Sequence, residues 1–129
     1  MNVFRQAQYD YLYMEQIKIK LREFANERNW DQFHSPKNLV MALNGEMGEL
    51  TEIFQWLDNA ESYLEDLNTK DVERCKEEMA DVFLYLIRLA DKLEIDLIQE
   101  ANNKIETNKK KYPIELSKDN AIKYNQRDE

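Results

Sequence analysis

The chain is predicted to be all-α, a four-helix bundle-like subunit that assembles into a homo-oligomer. Gly and Pro number only two each among 129 residues, too few for the turns an all-β fold requires. Apolar residues recur at helical spacing over most of the chain, beside 34% charged residues that solvate the outer faces. A mean hydropathy of −0.80 leaves an isolated subunit with a thin core, so association between subunits is expected to complete it. The length fits one domain, residues 1–129, with a polar tail from about residue 114.

The first helix is expected over roughly Asp10 to Arg28, with Tyr13, Ile17, Leu21 and Phe24 on one face. After the loop Asn29 to His34, Ser35-Pro36 is a start signal: a capping hydroxyl, then an imide whose missing N–H costs nothing at the first helical position. The second helix runs from Pro36 to about Leu57, with Leu39, Leu43, Met47, Leu50, Phe54 and Leu57 as its apolar stripe. A polar connection, Asp58 to Thr69, leads to a third helix over Lys70 to Leu93. Its core face is expected to be Val72, Cys75, Met79, Val82, Leu86 and Leu93. Val82 to Ile87 is apolar on every side, which marks it as a subunit contact. Asp96 and Gln99 form a capping-box pattern for the fourth helix, which must stop near Pro113. Beyond it, Ile114 to Glu129 is expected to be extended on a neighbour or disordered.

Charge and cysteine usage narrow the function. A net charge of −8 opposes binding to a nucleic-acid backbone, which needs a basic stripe. It permits one phosphorylated small molecule if a metal cation screens the contact. Cys75 is alone, so no intrachain disulfide forms. The first residues lack the apolar stretch of a signal peptide, and no segment approaches the ~20 apolar residues of a membrane span. A cytoplasmic protein with no membrane partner is expected.

Four acids sit within or beside the faces that helical geometry assigns to the core. At about 100° per residue, Glu46 falls inside the stripe between Leu39 and Ile53, with Glu49 at its edge. On the third helix Glu78, Asp81 and Tyr85 form a row beside Met79, Val82 and Leu86. Each helix thus supplies an E-x-x-[E/D] pair whose side chains project together. Burying four carboxylates uncompensated costs several kcal/mol per ion, and a hard divalent cation with oxygen ligands resolves the conflict. The plainer alternative is a set of surface acids paired with Arg74, Lys76 or Arg88.

Gly45-Glu46-Met47-Gly48-Glu49-Leu50 and Glu77-Glu78-Met79-Ala80-Asp81-Val82, with twenty-eight residues between Glu49 and Glu78, resemble the E-x-x-E…E-x-x-D signature of the MazG-like nucleotide pyrophosphohydrolases. The dCTP pyrophosphatase branch is the one most resembled, through Trp30-x-x-Phe33-His34-x-Pro36-x-Asn38-Leu39, Phe54-Gln55-Trp56 and Lys104-x-x-x-Asn108-x-x-Lys111-Tyr112-Pro113. This resemblance implies a homotetramer, built as a dimer of dimers, with Mg²⁺ held by Glu46, Glu49, Glu78 and Asp81 and Mn²⁺ as the expected substitute. It also implies cleavage of a nucleoside triphosphate between the α- and β-phosphates, with dCTP or a modified dCTP as substrate. Lys111 and Lys37 stand where relatives often carry Arg; lysine keeps the charge but loses the bidentate fork.

Within that frame Glu49, nearer solvent, is the expected general base. Trp30 and Trp56 are candidates to stack on the base, although either is otherwise read as core. His34 is either a loop-capping residue or part of the pocket lining, and Tyr85 lies beside the sugar or fills the interface. Lys104, Asn108 and Lys111 share a helix face suited to phosphates, or form a solvated basic patch near a helix C-terminus. Two other classes compete. A di-iron carboxylate bundle needs a Glu-x-x-His motif on each of two helices, and the single histidine, His34, follows neither Glu49 nor Glu78. A non-catalytic oligomerisation or adaptor module accounts for the stripes but not for acids inside them.

Overall fold

A computed structural model describes residues 2–128. The described residues form helices and turns with no strand, and no helix is long and apolar enough to cross a membrane. The chain divides into two compact units, one through Ile95 and one from Asp96.

The first unit holds α1 (Val3–Glu27), α2 (Pro36–Phe54) and α3 (Thr69–Lys92), with α3 packed against both others. Helix α1 begins seven residues earlier than the apolar pattern indicates, because Asn2 caps it by accepting from the Arg5 N–H at 2.9 Å. Ser35 caps α2 through the Asn38 N–H, with Pro36 behind it, as its sequence predicts. Asn68 caps α3 through the Asp71 N–H at 2.8 Å.

The C-terminal end of α1 positions the loop that follows. Asn29 takes a left-handed conformation (φ 53°), one that asparagine tolerates. The Trp30 N–H then reaches back to the Ala25 carbonyl at 2.8 Å, and the Asn29 N–H to Asn26 at 3.1 Å. This is a Schellman closure, and its usual apolar contact is present, the Trp30 ring standing edge-on to Phe24 at 5.6 Å. Helix α3 closes in the same way, with Ile95 N–H on Ala90 and Glu94 N–H on Asp91, but with Glu94 at φ 54°. A glutamate gains nothing from that conformation. Glu94→Gly is expected to raise stability by about 0.5–1 kcal/mol, measured as a higher denaturation midpoint at unchanged m-value.

The buried apolar residues are Ala25, Leu39, Ile53, Ile87 and Ala90, the thin core that composition implies. Two details of the predicted stripes change. On α2, Met47 is 43% exposed, and the inward residues include Leu39, Leu43, Glu46, Leu50 and Ile53, with Leu57 partly covered just past the helix end. Two successive four-residue steps carry Met47 too far round the axis, whereas a three-residue step keeps Glu46 central. On α3, Met79, Leu86 and Leu93 are exposed, while Ile87, Arg88 and Ala90 are buried. Helix α1 is the reason: its Arg22 donates to Asp91 at 2.7 and 2.5 Å, drawing another face of α3 inward.

The second unit holds α4 (Leu97–Lys111), capped by Asp96 through the Gln99 N–H at 3.0 Å, and α5 (Ile114–Ser117) after Pro113. The segment from Ile114 is therefore neither wholly extended nor structureless. A 3₁₀ turn at Tyr124–Gln126 sets Tyr124 edge-on to Tyr112 at 6.0 Å, and Arg127 donates to the Lys111 carbonyl and the Ser117 hydroxyl.

Candidate metal and nucleotide site

Helices α2 and α3 bring one carboxylate oxygen each from Glu46, Glu49 and Glu78 within 4.8 Å of one another. Glu46 and Glu78 are half-buried and Glu49 is exposed. One oxygen of Glu46 and one of Glu78 are buried without any hydrogen-bond partner. Among the described residues none of the four predicted acids is in an ion pair: Arg74 pairs with Asp71, Lys76 with Glu73, and Arg88 with Asp31 and Asp91. The pairing that would make these ordinary surface acids is absent.

Burial, reinforced by the neighbouring Glu49 carboxylate, pushes the Glu46 carboxyl up to about 7. The same two causes raise Glu78. A cluster of three carboxylates in which two carry an orphaned oxygen, and in which burial disfavours ionisation of those two, fits a hard divalent cation, which takes oxygen donors and removes the repulsion. Asp81 lies outside the three-oxygen cluster but adds its charge to the rise at both glutamates.

A pocket of about 270 Å³ adjoins this cluster, lined by Leu21, Phe24, Trp30, His34, Glu46, Asp81, Leu84, Tyr85 and Arg88. Glu46 belongs to both the cluster and the pocket, and Asp81 lines the pocket beside it, so the aromatic cavity opens onto the acids. Of the predicted nucleotide-binding residues, Trp30, His34 and Tyr85 meet here. Trp56 does not: it lies past the end of α2, 86% exposed and outside the pocket lining. Lys104, Asn108 and Lys111 belong to the second unit. There Lys104 is exposed, the Asn108 carbonyl accepts the Tyr112 N–H, and the Lys111 ammonium lies 4.9 Å from the Tyr124 ring centroid.

Arg88 is the pocket residue that sequence reasoning missed. Its signal was present, a lone charge within the apolar run from Val82 to Ala90. It is 5% exposed and anchors a chain of alternating charges. Its guanidinium donates to Asp31 at 2.8 Å, to Asp91 at 3.3 Å and to His34 Nδ1 at 3.2 Å, while Lys92 donates to Asp31 and Arg22 to Asp91. Lys92 holds Asp31 below the usual carboxylate range, and Arg22 does the same for Asp91.

Fold and site together define a class, the helical proteins that gather carboxylates from two adjacent helices beside an aromatic ligand pocket. The chain belongs to the MazG-like family, whose model matches residues 41–126. It is 43% identical over 111 residues to dCTP pyrophosphatase 1 of Rattus norvegicus and 39% identical to that of Homo sapiens, each match covering 86% of this chain. The aligned stretch spans 65% of those relatives, just under two thirds of their length. A solved pyrophosphatase from Archaeoglobus fulgidus superposes with a TM-score of 0.72 at 40% identity, covering 78% of this chain and 93% of that one. The resemblance to the MazG-like family, carried by Glu46-x-x-Glu49 and Glu78-x-x-Asp81, and to its dCTP pyrophosphatase branch, carried by the motifs around Trp30, Trp56 and Lys104, is thus borne out.

Proposed function

We propose that the protein hydrolyses a nucleoside triphosphate to the monophosphate and pyrophosphate with a divalent cation, Mg²⁺ first and Mn²⁺ as substitute, and that dCTP or a base-modified dCTP is preferred. The observation that carries this reading is the pair of orphaned oxygens on Glu46 and Glu78, of which Glu46 also lines the neighbouring pocket of about 270 Å³. The names of the relatives agree with it: dCTP pyrophosphatase 1, and a pyrophosphatase.

Glu46, Glu49 and Glu78 hold the cation, with Asp81 completing the set. A bound cation would supply neutralising charge for the triphosphate and a more acidic water. Glu49, the exposed member, would act as the general base toward the attacking water. Trp30 stacks on the base while Phe24 fixes its ring; Tyr85 flanks the sugar. Lys104, Asn108 and Lys111 are proposed to bind the β- and γ-phosphates, and Trp56 to stack on the base.

Homotetramer formation belongs to the same reading. Met79 is 60% exposed, and with Phe83 and Leu86 it makes an apolar stripe at spacings of four and three on α3. A second copy would cover it. Cytoplasmic nucleotide-pool control or removal of damaged nucleotides is the proposed role.

The test is incubation with a panel of unmodified and base-modified nucleoside triphosphates and Mg²⁺, resolving monophosphate from diphosphate products. Monophosphate plus pyrophosphate, fastest with a cytosine base, is expected; diphosphate plus phosphate, or no turnover of any member, refutes the reading. Trp30→Ala is expected to raise KM about tenfold or more, the worth of one base–aromatic stack, in steady-state kinetics with the preferred substrate. A non-catalytic adaptor would release no pyrophosphate under any of these conditions.

A further inference from the structure

We propose that Arg88 is a positioning residue: it holds His34 in the tautomer whose Nε2 carries the proton, so that the pocket presents the nucleoside with a hydrogen-bond donor in a fixed place. The role in binding rests on the functional reading above; the tautomer does not.

A guanidinium has donors only and keeps its charge at every accessible pH. Arg88 Nε donates to His34 Nδ1 at 3.2 Å, so Nδ1 must offer its lone pair. The one proton of a neutral imidazole is then on Nε2. Arg88 has no room to turn away. It is nearly fully buried, and its two terminal nitrogens are committed to Asp31 and Asp91. Those carboxylates are themselves held, by Lys92 and by Arg22 of α1.

Protonating His34 would set an Nδ1–H against the Arg88 Nε–H. Burial, and then the Arg88 charge, push the imidazole below its usual range, in the same direction. Among the described residues nothing bonds to Nε2, and the ring lines the pocket. The ligand that fits therefore turns an acceptor toward His34, a ring nitrogen or a carbonyl of the base, and not an exocyclic amine. A buried donor left unpaired by the wrong edge discriminates more strongly than shape alone.

His34 is the only histidine, which makes the test direct. A two-bond ¹H–¹⁵N correlation spectrum of the labelled, metal-free protein at neutral pH reads both ring nitrogens. An unprotonated Nδ1 and a protonated Nε2 are expected, with both tautomers appearing in Arg88→Met. In that variant Asp31 keeps Lys92 and Asp91 keeps Arg22, so the helices retain their ties.

In kinetics, Arg88→Met is expected to raise KM about tenfold, the worth of one well-placed hydrogen bond, with a smaller change in kcat. Added to His34→Ala it should cost nothing further, because it acts through His34. Additive losses, or a wild-type spectrum showing Nδ1–H or imidazolium, would overturn the proposal. The wild-type spectrum decides the tautomer even if Arg88→Met does not fold. The expected spectrum without nucleotide hydrolysis would instead sink the functional reading and the binding role, leaving only the tautomer assignment.

Discussion

Glu46→Gln is expected to leave the helices intact and to remove pyrophosphate release by more than about a hundredfold, since losing even an outer partner of a metal ligand costs up to that. The amide keeps the shape of the side chain and one oxygen but cannot supply the charge a hard cation needs. In the metal-free protein the same change relieves the crowding with Glu49 and Glu78. After allowance for solvent screening this is worth about 1 kcal/mol, or ~4 °C in Tm at pH 8. Opposite signs on activity and stability separate a metal ligand from a structural residue, which would lose both. Circular dichroism, melting and product analysis of one preparation check all three outcomes. Glu78→Gln is expected to behave alike, and full activity in either variant would remove the proposed site.

Metal-free protein is expected to lose stability as pH rises from about 5 to 8, and Mg²⁺ should restore it. The sign follows from Glu46, whose carboxyl is raised from 4.5 to about 7. Between those values the unfolded chain has released the proton while the folded chain still holds it, so each step up in pH favours unfolding until Glu46 itself ionises. Above that point the bare carboxylates repel in full. A cation present at a hundred times its Kd adds about 2.7 kcal/mol, of order 10 °C for a chain of this size. Melting curves with chelator and with Mg²⁺, at pH 5.5 and pH 8, measure this. The net charge of −8 contributes a pH slope of its own, and Glu46→Gln isolates the part due to the site. That variant should show a shallower slope and little gain from Mg²⁺. An equal gain in wild type and variant would place the cation elsewhere.

Much of this was readable along the chain. The caps at Ser35 and Asp96, the stop before Pro113 and the inward placement of Glu46 all depend on residues within one turn of each other. Local hydrogen bonding and helical period fix them before any packing occurs. The start of α1 was readable too, at Asn2, but the apolar pattern used to find the helix begins later than its cap. Met47 was misplaced because a stripe read in four-residue steps drifts around the axis.

Arg88 illustrates the other kind of outcome. Its position in an apolar run marked it as unusual, yet its partners lie on a loop more than fifty residues away and three residues along its own helix. No periodicity connects Asp31 to Arg88. Trp30 was legible as a candidate aromatic through resemblance, while its placement came from the Schellman closure of α1 and the Phe24 contact. Trp56 carried an equal signal and lies outside the pocket lining, because nothing local to a tryptophan says on which side of the packed helices its ring is placed.

The sequence alone determined that the protein is helical, where its helices begin and end to within a few residues for α2, α3 and α4, and that two i, i+3 acidic pairs sit at the edges of apolar faces. These are properties of a single helix, set by backbone hydrogen bonding and a period of 3.6 residues. Only the tertiary structure decided which acidic oxygens converge, that two of them lack any partner, and that a buried arginine lies against the pocket histidine. Distances between helices depend on how their side chains interdigitate, and that information is spread over the whole packed interior, with no single stretch of chain containing it.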